Sequence, residues 1–277
     1  MTVRRLWLIA DDYGLSPGVS RGILDLLERG RLSGTGCMTL FAEWQDEAAA
    51  LRDVPPEAAI GLHLTLTDQI ACSGASALAP HGRLPSLGRL ALLTSMNSRA
   101  AQAVHVELNA QYARFVDAIG RTPDFLDGHQ HVHFLPVVRR WISNLAKQTE
   151  NGPAPFVRGA PVLGHAPPAV MTKVAVVRGM ARGFDRFVSA QGLDIAGPLS
   201  GFYDWKDGTA FAAAIARAAG TLPDNALFMC HPGHVDDILK SRDSLQNPRF
   251  VELQYLQSEE FSGLLRKNGV TLARMKR

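Results

Sequence analysis

Short apolar segments alternate with amphipathic segments along most of the chain. The segment VRRLWLIA is typical of a buried strand, and Ser16 and Pro17 after it predict the N-cap and first residue of a helix. Similar apolar runs predict strands at GTGCMTLF, AIGLHLTL, APFVRGAP, NALFMC and VTLARM. Since strands alternate with helices, the pattern predicts parallel strands with helical crossovers. The count of six to eight strands favours a barrel over an open sheet.

The longest predicted helix covers residues 98–119, where apolar side chains repeat at helical spacing before Gly120. Other helices are predicted over residues 44–52, 136–147, 168–191, 210–219, 248–257 and 258–267. By contrast, residues 67–97 are rich in Gly, Ser, Ala and Pro, and we expect them to be irregular and to shape substrate choice. No repeat, linker or glycine-rich nucleotide motif interrupts the pattern, so the sequence predicts one domain over residues 1–277.

The composition is that of an ordinary soluble enzyme, with 46% hydrophobic and 20% charged residues and a net charge of +3. No basic run exceeds two residues, so we expect no nucleic-acid partner. No apolar run approaches the roughly 20 residues that span a bilayer, so we expect no stable membrane insertion. The three cysteines are too few and too scattered for a disulfide framework, which favours a cytoplasmic location.

Polar residues stand where the predicted strands end. Asp11 and Asp12 follow the first strand, His63 lies in the third, Arg158 closes another and His231 follows NALFMC. In a βα barrel the active site is built at the carboxyl ends of the strands. We therefore expect these side chains to surround one mouth of the barrel.

Three histidines lie within five residues of the segment FLDGHQHVHF, interpreted here as a strand that runs into a loop. Strand alternation then puts four polar side chains on one face: Asp127, His129, His131 and His133. Alternate strand residues are about 6.6 Å apart, so two histidines could share one metal, or one could bind it beside a supporting neighbour. A divalent cation would also hold Asp11 and Asp12 side by side.

Four motifs carry a resemblance to a known family. ADDYGLSPGV, GLHLTL, FLDGHQHVHFLP and CHPGH occur in this order between residues 6 and 234 and resemble those of the YdjC-like (ChbG/HpnK) carbohydrate deacetylases. The resemblance implies an irregular, TIM-barrel-like (β/α) barrel related to the polysaccharide deacetylases. It also implies hydrolysis of the N-acetyl group of an amino sugar, in an oligosaccharide or glycolipid, and a homodimer.

The resemblance also implies a role for each site residue. Asp12, His63 and His129 match the positions that bind one divalent metal ion. Asp11 matches the catalytic base, His231 the general acid, and Arg158 an arginine that orients the base. The ligand set suits zinc, whereas family members are often described with magnesium. The two remaining candidates for contacts with metal or substrate are His131 and His133.

Two other classes of protein remain open. One is a different metal-dependent barrel enzyme, such as a phosphoesterase or a sugar isomerase. The other is a sugar-binding relative that has kept the fold without activity. The presence of Asp11, Asp12, His63, His129 and His231 favours an active hydrolase over that relative.

Overall fold

A computed structural model of the chain describes residues 3–74, 77–148 and 154–275. Nine strands lie within these ranges, and every pair of neighbours is parallel. They are β1 (Arg4–Tyr13), β2 (Gly34–Cys37), β3 (Ala59–Leu64), β4 (Phe125–Gly128), β5 (Phe156–Arg158), β6 (Ile195–Ala196), β7 (Leu199–Ser200), β8 (Ala226–Cys230) and β9 (Val270–Leu272).

Eight strands form a nearly closed barrel in the order β6-β5-β4-β3-β2-β1-β8-β7. The two end strands follow each other in sequence, separated only by Gly197 and Pro198. A parallel bridge between Pro161, just after β5, and Leu199 of β7 narrows the remaining gap. The ninth strand lies off this path and pairs with Arg4–Leu6 of β1. The predicted irregular (β/α) barrel is thus confirmed.

Helices cover the barrel between the strands. The N-cap of the first helix is confirmed, because the Ser16 side chain accepts a hydrogen bond from the Val19 N–H at 3.3 Å. No helix of the described ranges combines the length and the apolar character needed to cross a membrane. The helices are α1 (Pro17–Glu28), α2 (Trp44–Ala50), α3 (Leu87–Met96), α4 (Ser98–Ile119), α5 (Pro136–Gln148), α6 (Met171–Met180), α7 (Phe184–Ala190), α8 (Ala210–Thr221), α9 (Asp237–Arg242), α10 (Asn247–Gln257) and α11 (Glu259–Lys267).

The first strand differs from its prediction at its carboxyl end. The expectation that Asp11 and Asp12 follow β1 was wrong, since the strand continues to Tyr13. Its register with β2 shifts between Ala10 and Tyr13, and Asp12 there has a left-handed backbone with φ of 70°. This is the geometry of a β-bulge, which re-aims the side chains beside it.

The histidine segment is not a strand. β4 ends at Gly128, and residues 129–134 form a tight 3₁₀ turn with left-handed backbone at Gln130 (φ 50°) and His131 (φ 62°). The alternation argument for these residues was therefore wrong. It failed because four consecutive side chains, from His131 to Phe134, are all buried, so burial does not alternate from one residue to the next.

Three other segments also differ from their predictions. The segment 67–97 is not irregular throughout, because its last part forms α3, which buries only Leu90. Strand β2 ends at Cys37 rather than at residue 41. Helix α9 was not predicted; Asp236 caps it by accepting a hydrogen bond from the Leu239 N–H at 2.7 Å. These three elements are short or weakly amphipathic, so the spacing of their apolar residues gives little indication of their type or bounds.

Gly34 lets β2 and β3 approach closely, which generates a test of the barrel. A Cβ at this position would lie 2.1 Å from the Ala59 carbonyl oxygen, which is part of the backbone. Because overpacking of this kind forces the backbone apart, Gly34→Ala should lower the free energy of unfolding by about 3 kcal/mol in urea titrations.

The matched control is Gly179→Ala in helix α6, where an added Cβ meets nothing within 4 Å. Alanine is the better helix former, so this variant should be equal to the parent or more stable by about 0.5 kcal/mol. Equal stability of the two variants would contradict the close approach of β2 and β3.

Candidate metal and catalytic site

Three of the strand-end residues, Asp11, His63 and His231, line one cavity of about 810 Å³. Asp12 contacts His63 and Arg158 contacts Asp11, so both lie directly beside it. Asp11 and Asp12 lie near the end of β1, His63 near the end of β3, and Arg158 ends β5. His231 follows β8 directly. Side chains of α6, α10 and the segment 243–245 complete the wall. The structure thus brings the sequence-predicted residues to one mouth of the barrel.

Asp12, His63 and His129 form a compact cluster whose ligand atoms all lie within 4.8 Å of one another. Asp12 Oδ1 is 3.3 Å from His63 Nε2 and 3.1 Å from His129 Nδ1. The His63 Nδ1 atom is 2.7 Å from Asp127 Oδ1. When Nδ1 donates to that carboxylate in the neutral ring, Nε2 keeps a lone pair that points at Asp12.

Arg158 lies between two other aspartates of the barrel interior. Its guanidinium is fully buried and donates to both oxygens of Asp11, with Nη1 at 2.8 Å from Oδ2. Its Nη2, which contacts Asp11 Oδ1, also forms an ion pair with Asp127 Oδ2. Burial alone would raise the pKa of Asp11, but the charges of Arg158 and His63 lower it to about 2. Asp11 is therefore a carboxylate at neutral pH.

A second buried arginine holds Asp12. Arg249 of α10 is 1% exposed, and its Nη2 donates to Asp12 Oδ2 and to Asp243 Oδ2, both at 2.6 Å. Burial would raise the pKa of Asp12, yet the charges of Arg249 and His129 hold that pKa well below its usual value. The two oxygens of Asp12 thus have separate partners, with Oδ1 facing the two imidazoles.

His231 lies between two carboxyl groups. Its Nε2 is 3.8 Å from Asp11 Oδ2, and its Nδ1 is 4.0 Å from Glu252 Oε1. Glu252 accepts hydrogen bonds from the backbone N–H of His231 at 2.5 Å and from the Tyr203 hydroxyl. Burial lowers the pKa of His231 to about 4 against the opposing charge of Asp11, whereas burial raises the pKa of Glu252 to about 7.

The charges of the site fit a divalent cation. Two buried guanidiniums contact four carboxylates, those of Asp11, Asp12, Asp127 and Asp243, so carboxylates outnumber guanidiniums by two in this cluster. Two imidazole nitrogens and one carboxylate oxygen are also a donor set typical of divalent metals. In the metal-free protein, Asp127 and Asp11 outweigh burial and raise the pKa of His63 to about 10, so this place favours positive charge.

His131 and His133 lie outside the metal-type cluster. The His131 ring lines the cavity at 5.3 Å from the Phe202 ring, and its buried Nδ1 has no hydrogen-bond partner in the described part of the chain. The His133 ring is buried against Phe134 at 3.9 Å and Phe184 at 5.6 Å. His131 therefore faces the cavity, whereas His133 belongs to the aromatic core.

The sequence interpretation missed Arg249, Glu252 and Asp243, which lie beyond the last recognised motif. A signal was present in α10, where Arg249 and Glu252 share a helical face with the buried Leu253 and Leu256. Two charges on an apolar face indicate buried, paired groups. Their partners could not be read from the sequence.

Fold and site together define an α/β-barrel protein with a buried aspartate–histidine cluster of metal-binding type. The chain belongs to the YdjC-like protein family, which matches residues 5–267. A chitooligosaccharide deacetylase of Serratia marcescens is 29% identical over 95% of this chain and 94% of its own length. That of Klebsiella pneumoniae strain 342 is 30% identical, with 97% of each chain covered.

Among solved structures, a putative cellobiose-phosphate cleavage protein from Enterococcus faecalis V583 has the same fold. Its TM-score is 0.71 at 21% identity, and the alignment covers 98% of this chain and 97% of that one. At this identity the match supports the barrel architecture alone.

The buried His131 predicts a loss of stability in acid. Burial and the charge of Arg158 lower its pKa from 6.5 to about 3. Between these values the unfolded chain binds a proton that the folded protein does not, so the free energy of unfolding falls as pH falls. The free energy of unfolding should therefore fall by about 2 kcal/mol less between pH 7 and pH 5 in His131→Asn, which lacks the imidazole, than in the parent.

The measurement is urea unfolding of metal-free protein across this pH range. Asparagine suits the test because it tolerates the left-handed backbone of position 131. The control is His81→Asn at an exposed site, which should keep the parent's pH dependence. The same fall in the His131 variant as in the parent would contradict a neutral, buried imidazole.

Proposed function

We propose that this chain is a metal-dependent carbohydrate N-deacetylase that hydrolyses the N-acetyl group of an amino sugar to a free amine and acetate. The observation that carries the proposal is that two adjacent aspartates at the mouth of the barrel have different partners. Asp12 faces His63 and His129, whereas Asp11 faces Arg158 and His231. Relatives named chitooligosaccharide deacetylases, similar over nearly the whole chain, support the choice of reaction.

Asp12, His63 and His129 are the residues that would hold a divalent ion, magnesium or zinc. Such an ion supplies a Lewis acid that polarises the acetyl carbonyl and offsets the charge of the tetrahedral oxyanion. Asp127 fixes the His63 ring through Nδ1 at 2.7 Å, so Nε2 stays turned towards Asp12.

Asp11 acts as the general base in this proposal. Its carboxylate accepts a proton from the water whose oxygen attacks the acetyl carbon. Arg158 holds both carboxylate oxygens of Asp11 and thereby fixes the direction in which the base points. Since Asp11 lies next to Asp12 in sequence, base and metal ligands reach the same small volume of the cavity.

His231 delivers a proton to the leaving nitrogen, because an amine anion is too poor a leaving group to depart unprotonated. With a pKa of about 4, the ring is neutral at pH 7 and must first gain a proton. Asp11 Oδ2 is 3.8 Å from His231 Nε2, so the proton taken from water can pass to His231 and then to the nitrogen as the C–N bond breaks. Both groups return to their starting states.

The cavity supports a sugar as the substrate. Its volume of about 810 Å³ is within the usual range for small-molecule sites. Trp205 lies in the wall with its ring 5.6 Å from that of His231, and the Lys173 ammonium lies 4.0 Å from the Trp205 ring centroid. An aromatic face beside the proton donor suits the apolar face of a sugar ring, while Lys173 can donate to hydroxyls.

The direct test is acetate release from N-acetylglucosamine, short N-acetylated chito-oligosaccharides and N-acetylated glycolipids. We expect release from at least one class, loss of release after treatment with a chelator, and recovery when a divalent ion is added back. Release of phosphate from phosphorylated sugars without release of acetate would instead favour the phosphoesterase alternative.

A second test separates the two aspartates. Asp11→Asn removes the base but leaves Asp12, His63 and His129, so the variant should bind metal like the parent while acetate release falls by about 10²–10⁴-fold. Asp12→Asn is the matched variant and should lose metal affinity as well. Metal content is measured by elemental analysis, and full activity of Asp11→Asn would remove this residue as the base.

A further inference from the structure

The metal-type cluster has a neighbour whose presence is not required by the reaction. Arg249 is a positive charge buried directly behind Asp12, one of the three residues that would bind a cation. Arg249 offsets the buried charge of Asp12, but by Coulomb's law a cation in this place also opposes the binding of a second cation.

The Arg249 guanidinium is held rigidly. Its Nε donates to the Leu245 carbonyl at 2.9 Å, while Nη2 donates to Asp12 and Asp243, each at 2.6 Å. The side chain is 1% exposed, so bulk solvent has little access to these contacts. Arg249 is therefore a fixed element of the site, and the carboxylate of Asp12 is oriented against it.

This contact assigns different tasks to the two oxygens of Asp12. Oδ2 is occupied by Arg249, whereas Oδ1 alone faces His63 and His129. The charge of the carboxylate is shared with the guanidinium, and only one oxygen is presented to a bound ion. Two of the three ligand atoms that the protein presents to an ion are therefore imidazole nitrogens.

We propose that Arg249 is a positioning residue that sets the metal preference of the site, favouring ions that bind imidazole, such as Zn²⁺, over Mg²⁺. Magnesium requires oxygen ligands and depends on carboxylate charge, which Arg249 restricts. Zinc binds imidazole nitrogen well and loses less when the carboxylate offers one oxygen. The inference rests on the metal site of the proposed function and concerns only its selectivity.

The test measures metal binding without turnover. Affinities for Zn²⁺ and for Mg²⁺ are determined separately by calorimetric titration of chelator-treated protein, and their ratio is compared among variants. Arg249→Met frees both oxygens of Asp12, so the Zn²⁺/Mg²⁺ affinity ratio should fall by about tenfold or more. Arg249→Lys keeps the charge and one donor and should restore most of the parent's ratio.

Arg121→Met is the control, because Arg121 forms a partly exposed ion pair with Asp124 at 2.7 Å outside the cavity. It should leave the ratio unchanged. An unchanged ratio in folded Arg249→Met, verified by circular dichroism, overturns the inference.

A second variant keeps the test decisive if Arg249→Met does not fold. Asp243→Asn removes the competing carboxylate and leaves Arg249 to interact more strongly with Asp12, so the Zn²⁺/Mg²⁺ ratio should rise. An equal or lower ratio contradicts the inference.

Absence of any metal binding by the parent overturns both this inference and the metal site of the proposed function. If the parent binds metal but the Zn²⁺/Mg²⁺ affinity ratio is the same in the variants, only this inference is overturned.

Discussion

The β-bulge at Asp12 is the constraint on which the site depends. In a regular strand, adjacent side chains point to opposite faces, so Asp11 and Asp12 could not both reach the barrel mouth. At Asp12 the backbone is left-handed and the register with β2 shifts, and Asp11 lines the cavity while Asp12 contacts His63 and His129 in its wall. Aspartate adopts this conformation more readily than most residues, so the chemistry and the backbone geometry favour the same side chain.

Two buried arginines make this arrangement possible. Uncompensated carboxylates in a barrel interior are strongly unfavourable, and each aspartate has its own guanidinium: Arg158 from β5 for Asp11, and Arg249 from α10 for Asp12. These contacts connect the first strand to elements 147 and 237 residues away in sequence. The same ion pairs therefore offset the buried charges and hold distant elements together. In this cluster carboxylates still outnumber guanidiniums by two, which favours a divalent cation.

Much of the architecture could be predicted because strands buried in a parallel barrel and the helices around them have distinct patterns. The long helix α4 was predicted with the bounds it has, and the N-cap Ser16 was correct. The turn at residues 129–134 was not predicted, because its four consecutive buried side chains, from His131 to Phe134, give no alternating pattern. Helix α3 was missed for the opposite reason, since it buries a single leucine.

The sequence by itself determined the class of fold and the residues that meet at the barrel mouth, because parallel strands bring their carboxyl ends together wherever they lie in the chain. Only the tertiary structure decided which oxygen of Asp12 faces the imidazoles, that His131 turns to the cavity while His133 joins the core, and that α10 contributes Arg249 and Glu252. These features depend on contacts between elements far apart in sequence, and local patterns do not encode the partner of a buried charge.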